Sequence, residues 1–312
     1  MTQSPYLTFS REAWRQFRLT TQLSLTENEL QALRGFNQPI SLTEVADIYL
    51  PLSRLINLYV KASQGLYAAS NQFLENYTPR VPYIIGVCGS VAVGKSTSSR
   101  ILQSLLSRWP EHSHVEVVTT DGFLYPNEML IQRDLMEKKG FPESFDRAKL
   151  LNFLHAVKSG EPTVNIPVYS HEIYDVLPNK HRTINNPDIL IVEGLNILQT
   201  PRLHKKNTAA TMVVSDFLDF SIYVDAETDL IEEWFLQRFL AFREKAQNKP
   251  TKFFYQFSQM DEAAAIALAK KVWKETNEKN LLENILPFKD RARLILHKTA
   301  EHDIESVELR KL

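Results

Sequence analysis

From residue 80 onward, short unbroken apolar runs alternate with longer stretches whose apolar residues return every three or four positions. The runs at 83–87, 115–119, 189–192, 220–224 and 294–296 predict strands covered on both faces, as in a parallel sheet. Between them the helical period dominates. Ile101, Leu102, Leu105, Leu106 and Trp109 share one face, and a broader face runs from Leu230 through Trp234, Phe235, Phe239, Leu240 and Phe242. The Ala-rich stretch 261–286 is long enough for a third helix, and 244–256 reads as a loop or flap. Strands alternating with helices predict an α/β fold with a mostly parallel, doubly wound sheet.

Residues 1–79 read differently, as a helical extension packed on a core of 80–312, the two forming one structural unit. Ser41-Leu-Thr-Glu44 fits a capping box, in which the Ser hydroxyl takes the Glu44 amide and the Glu side chain reaches back. Val45, Ile48, Tyr49, Leu52, Leu55, Ile56 and Tyr59 follow at helical spacing, with Pro51 predicting a kink among them. No internal repeat or low-complexity tract interrupts the chain.

Composition narrows the partners. Lys plus Arg number 36 against 37 Asp plus Glu, a net charge of -1, so no global basic field exists to hold nucleic acid. Cys88 is the only cysteine, which excludes an intrachain disulfide and suits a reducing, cytoplasmic setting. No signal-peptide run opens the sequence, and no stretch approaches the roughly 20 apolar residues of a membrane span.

Chemistry concentrates at residues 89–97. Gly89, Ser90, Val91, Ala92, Val93, Gly94, Lys95 and Ser96, followed by Thr97, match the phosphate-binding loop G-x-x-x-x-G-K-[ST] in full, between a predicted strand and a predicted helix. Glycines let backbone N–H groups curl round a phosphate, and the helix N-terminus adds partial positive charge. Lys95 is expected on the β- and γ-phosphates of ATP, and Ser96 on Mg²⁺. A chance match in a chain of this length is of order one in a hundred at average glycine usage of ~7%. The loop serves ATPases, GTPases and small-molecule kinases alike; the nearest strings to a guanine-reading motif, at 179–182 and 248–251, lack its Asp.

Two strands end in carboxylates. Asp121, after 115–119, stands where an acceptor hydroxyl would lie beside the γ-phosphate and is the candidate base. Glu193, after 189–192, is the candidate second metal ligand. Either residue type is also common in turns and caps. Arg238 on the aromatic helix is a candidate for neutralising transferred charge, although an Arg on a helix face is more often solvated. A small-molecule kinase and a non-catalytic nucleotide switch both fit these residues.

Longer strings carry a family resemblance. EVADIYLPLSRL at 44–55, the phosphate loop, TTDGFL at 119–124, KGFPES at 139–144, PVYSH at 167–171 and IYD at 173–175 are similar to those of the bacterial type I pantothenate kinases. So are PDIL at 187–190, EGLN at 193–196, VSDF at 214–217 and NILP at 284–287. The resemblance covers nearly the whole chain and implies a P-loop kinase fold. It implies transfer of the ATP γ-phosphate to the 4′-hydroxyl of pantothenate, a homodimer, and feedback inhibition by coenzyme A. By position it implies Asp121 as catalytic carboxylate, with Lys95 and Arg238 stabilising the transition state. Tyr169, Tyr174 and Asn277 fall at pantothenate positions, and Phe239 and Phe242 where a pantetheine arm packs. Arg100 and His171 match feedback-inhibitor contacts, and Asn37 and His302 adenine-side positions. Phe235 departs from a commoner Tyr, and the stretches 200–212 and 247–260 also depart. The nearest alternative acceptors are those of uridine- and phosphoribulose-type kinases.

Overall fold

The computed structural model describes residues 4–35, 40–75, 80–200 and 212–311. The five anticipated strands form, most of them one or two residues longer than the apolar runs: β2 (Tyr83–Gly89), β3 (Val115–Thr119), β6 (Ile189–Gly194), β7 (Phe220–Asp225) and β8 (Leu294–Lys298). All are mutually parallel, in the order β8-β7-β2-β6-β3. Every residue of β2 is buried, which is why it reads as an unbroken apolar run rather than an alternation.

The sheet continues past β8 into two antiparallel strands that no run announced. These are β9 (Ile304–Arg310) and, outside it, β1 (Tyr6–Ser10). The N-terminal region is therefore not wholly helical. Its first residues complete the sheet edge, where the Tyr6 hydroxyl donates to the carbonyls of Ala292 at 2.7 Å and Asp290 at 3.0 Å. Separately, β4 (Thr163–Ser170) and β5 (Asp175–Asn185) make an antiparallel hairpin that arches over the sheet's C-terminal end.

The helix expected after Ser41 forms, but its cap is only half the anticipated box. The Glu44 amide donates to Ser41 Oγ at 3.1 Å, while the Glu44 carboxylate turns inward and accepts from the Ile304 amide at 3.3 Å. Burial pushes that carboxyl well above the usual range. A π-turn at Val45–Tyr49 leads into the long helix Leu50–Phe73, so the irregularity expected at Pro51 sits just before it. Val45, Ile48, Leu52, Ile56 and Val60 are fully buried within the same core as the central strands.

The phosphate-loop helix runs Lys95–Leu106 and the aromatic helix Thr228–Ala246. The latter takes up the start of the stretch read as a flap, whose end forms a short turn of helix at Tyr255–Ser258. The third helix is regular only over Glu262–Val272; π-turns at Trp273–Asn277 and Leu281–Ile285 break its continuation.

Candidate active site

The loop between β2 and its helix has the expected shape. Gly94 takes φ +107 as the helix N-cap, and Ala92 also lies in the left-handed region at φ 62, so successive amides turn inward as an anion cradle. Val93 is buried in the core, and Ser90 and Thr97 are buried too. Lys95 Nζ donates to the Ser90 carbonyl at 2.6 Å. Burial lowers its pKa, a pull that the charges of Glu193, Cys88 and Asp121 oppose. Ser96 Oγ donates to Glu193 Oε1 at 2.8 Å, while Glu193 Oε2 is buried with no donor in hydrogen-bonding range. Burial raises the Glu193 carboxyl, against the hydrogen bond from Ser96 and the Lys95 charge. A hydroxyl and a carboxylate with a free oxygen are hard oxygen donors that suit Mg²⁺.

Asp121 lies on the 3₁₀ turn Thr120–Phe123, its amide donating to Thr119 Oγ1 at 3.3 Å. The next residue has to be glycine. A Cβ on Gly122 would stand 2.5 Å from the Pro167 carbonyl, so the β4–β5 hairpin presses directly on the turn that carries Asp121. That contact brings the hairpin's Tyr169, His171 and Tyr174 over Asp121; the two tyrosine rings meet edge-on at 6.4 Å, and Tyr169 and His171 at 5.2 Å. Burial raises both phenols, Asp121 adding to each, so they act as neutral hydroxyls.

Three adjoining cavities collect these side chains. One of about 200 Å³ follows the phosphate loop and is lined by Lys95, Ser96, Thr97, Arg100, Gln237 and His302 among others. A second, of about 160 Å³, lies between Asp121, Lys95, Glu193, Tyr169, Tyr174 and Asn277. The largest, about 520 Å³, is an aromatic slot walled by Phe235, Phe239, Phe242, Phe253, Phe254 and Phe257, and it also reaches Asn277. Arg238 and His171 line all three. Arg238 is thus not a solvated helix-face residue. Burial lowers its pKa, with Asp121 the main charge opposing that, and its guanidinium lies 5.2 Å from the Phe242 ring centre. Tyr174 stacks on Phe253 at 4.4 Å, and Lys252 forms an ion pair with Glu172, closing the slot against the hairpin.

At the outer end of the loop cavity, the His302 ring stacks on Trp234 at 3.8 Å. Burial, and after it the Lys298 charge, pulls His302 down to about 4, so a neutral ring faces the cavity. Arg100 Nε donates to the Leu33 carbonyl at 2.9 Å, tying the phosphate-loop helix to the N-terminal extension. Asn37 lies outside the described residues. Lys139, the second of two adjacent lysines and the first residue of the KGFPES string, carries no role in the sequence reading, because no general motif gives it one. It is buried beside Asp121, donates to Asn127 Oδ1 at 2.7 Å and to the Tyr174 carbonyl at 2.5 Å, and lies 3.9 Å from the Tyr174 ring centre. Burial pulls its ammonium down to about 8.

The Phosphoribulokinase / Uridine kinase family matches residues 84–271. A pantothenate kinase of Sodalis glossinidius is 54% identical over 308 residues, 99% of this chain and 97% of that protein. One from Brevibacillus brevis is 52% identical over 99% of this chain and 97% of its own length, and one from Coxiella burnetii matches equally well. Among solved structures, the protein YGR205w superposes with TM-score 0.52 at 18% identity, covering 78% of this chain and 98% of that one. A Saccharomyces cerevisiae protein, YFH7, proposed to be a P-loop kinase with a circular permutation, does so with TM-score 0.50 at 14% identity, covering 69% and 92%.

Proposed function

As the chain belongs to the Phosphoribulokinase / Uridine kinase family and, within it, to the pantothenate kinases, we propose that it transfers the γ-phosphate of ATP to the 4′-hydroxyl of pantothenate, the first step towards coenzyme A. One observation carries the assignment of roles: Lys95, Asp121 and Arg238 line a single cavity that Tyr169, Tyr174 and Asn277 also line. The hydroxyl oxygen of the acceptor attacks the γ-phosphorus and ADP leaves. Asp121 takes the hydroxyl proton, and Lys95 and Arg238 balance charge on the moving phosphoryl group. Mg²⁺, held by Ser96 and Glu193, would supply further neutralisation of the phosphate oxygens. Tyr169, Tyr174, Lys139 and Asn277 provide the donors that a carboxylate, an amide and two hydroxyls call for.

Feedback inhibition by coenzyme A fits the same surface. Its phosphates suit Lys95 and Arg100 in the loop cavity, and its thiol arm suits the slot of Phe239 and Phe242, with His171 between them. Inhibitor and ATP would then compete. Asn37 and His302 remain our choice for the adenine side, for which the flat neutral face of His302 argues. Among the described residues no helix is long and apolar enough to cross a membrane, and a cytoplasmic enzyme is our reading.

The test is ADP release with ATP-Mg²⁺ and pantothenate, run beside uridine and ribulose 5-phosphate, with and without coenzyme A. Turnover with pantothenate alone, suppressed by coenzyme A and relieved by added ATP, is the expected result; turnover only with another acceptor overturns the substrate assignment. Arg100→Ala should retain turnover and lose most of the suppression.

Lys139 adds a pH signature. Its charged form prevails below about pH 8 and is lost above it, so the KM for pantothenate should rise as pH climbs through that value. Lys139→Arg, whose guanidinium does not titrate there, should flatten the rise. A profile of KM against pH that is the same in both proteins would remove Lys139 from the acceptor site.

The homodimer has its best support on the long helix. Leu66 and Phe73 lie seven residues apart, 71% and 86% exposed, with Leu74 beside them 64% exposed. A second copy covering this stripe would remove it from water. Sedimentation should give twice the chain mass, and Leu66→Asp with Phe73→Asp should give the single-chain mass.

A further inference from the structure

Three strings singled out in the sequence, KGFPES at 139–144, EGLN at 193–196 and NILP at 284–287, enter the reaction only through Lys139 and Glu193. In space Ser144, Asn196 and Asn284 of these strings, with Asn280 and Gln199, gather round one residue, Gly140. The Gly140 carbonyl accepts from Asn196 Nδ2 and from Asn280 Nδ2, each at 2.9 Å. Asn280 Oδ1 accepts from Asn284 Nδ2 at 3.0 Å, and Asn284 Oδ1 from Gln199 Nε2 at 3.0 Å. On the other side the Gly140 amide donates to Ser144 Oγ at 2.9 Å, and that hydroxyl donates to the Phe141 carbonyl at 2.7 Å.

Stability alone does not explain so many buried amides. Asn280 is 3% exposed and Asn284 6%, and Asn196 Oδ1 is buried without a donor. One amide would be enough to satisfy the Gly140 carbonyl, and the onward links from Asn280 to Asn284 and Gln199 join side chains that apolar groups of like shape could replace at similar free energy. What the amides add is direction, since a hydrogen-bond relay fixes where its end groups point. Their placement makes that useful. Thr276 Oγ1 donates to the Glu137 carbonyl at 3.1 Å, and Asn280 holds Gly140, so two ties join one loop to one helix. Lys139 lies between the ties on the loop, Asn277 between them on the helix, and Asn196 carries the fastening to the end of β6, three residues past Glu193.

We propose that Asn280, Asn196, Asn284 and Gln199 form a positioning clamp on the Gly140 carbonyl that sets the Lys139 ammonium opposite Asn277 for the acceptor. The inference rests on the reading above that the acceptor lies in this cavity. None of the four touches the reacting atoms; they act through Lys139 and Asn277. The π-turns on either side of Glu278–Asn280 fit the same purpose, since such irregularities recur where a helix must present side chains to a site.

The test uses the full chain with Asn280→Leu, Asn280→Asp and Asn196→Ala. The KM for pantothenate should rise about 10-fold or more, because a small displacement of a positioning group is costly, while the KM for ATP stays near the unaltered value. Asn280→Asp should be the most affected, since it sets a carboxylate oxygen against the Gly140 carbonyl. A parallel rise in both KM values, or a lower melting temperature with both unchanged, would reduce the asparagines to structural residues. A second readout does not depend on the acceptor: the rate of Lys139 acetylation against pH, followed by mass spectrometry. The clamp predicts that Asn280→Leu moves its midpoint from about 8 towards that of an ordinary lysine. An unmoved midpoint overturns the clamp even if pantothenate proves not to be the acceptor, whereas absent turnover in the unaltered chain counts against the substrate alone.

Discussion

Asp121→Asn should lower kcat for pantothenate by about 10²–10⁴-fold, the range for removing a general base, and leave ATP binding nearly intact. The substitution keeps the size of the side chain and does not touch the bond from the residue 121 amide to Thr119 Oγ1. It removes a proton acceptor and a negative charge together. The charge matters separately, because Asp121 opposes the effect of burial on Lys95, Lys139 and Arg238. Without it all three cations become easier to deprotonate, and the pH at which acceptor binding weakens should fall below about 8. Stopped-flow ATP binding, steady-state turnover and a KM profile against pH separate these effects. A nucleotide switch that performs no transfer would lose little in this variant; kcat within a few-fold of the unaltered enzyme would take Asp121 out of the chemistry.

Arg238→Met carries the second large expectation, a loss of about 10²–10³-fold in kcat. This residue borders the nucleotide cavity, the transfer cavity and the aromatic slot at once. Methionine matches its aliphatic stem and fills the same space beside Phe242, so the loss reports the guanidinium, its place over that ring included, rather than a hole in the packing. Arg238→Lys should recover only part of the rate, since a point charge cannot present two parallel N–H groups to phosphate oxygens. Full recovery by lysine would mean that charge alone matters. Full retention of kcat in Arg238→Met would take Arg238 out of the chemistry, and a lowered melting temperature beside it would leave the residue a structural role.

Much of this machinery was legible because its signals are local. The phosphate loop carries its own geometry in two glycines, and Asp121 and Glu193 stand where apolar runs stop. What escaped depends on partners distant in sequence. β5 is mostly exposed and polar along its length, so it has no apolar alternation to read. β9 buries Ile304 and Val307, three residues apart, and pairs with β8 across an irregularity between His297 and Lys298. The Glu44 carboxylate follows the capping rule until a buried amide 260 residues away offers a competing partner. Lys139 became visible only once its loop was folded against Tyr174. Arg238 was underrated because nothing in a helical period distinguishes a face turned to water from one turned into a polar cavity.

The outermost strand sets a schedule for synthesis. β1 leaves the ribosome about 300 residues ahead of its partner, since its register joins Tyr6 to Arg310. Its partner edge does not exist until β9 has been made, and closing so long a loop comes late in any folding order. The parallel strands can assemble as they emerge, but the nascent chain must carry β1 unpaired throughout, an exposed edge of the kind that invites wrong pairing. β9 thus seals β1 to the sheet, and a chain that stops short of β9 would hold Lys95, Asp121 and Arg238 and still lack the edge that completes its sheet.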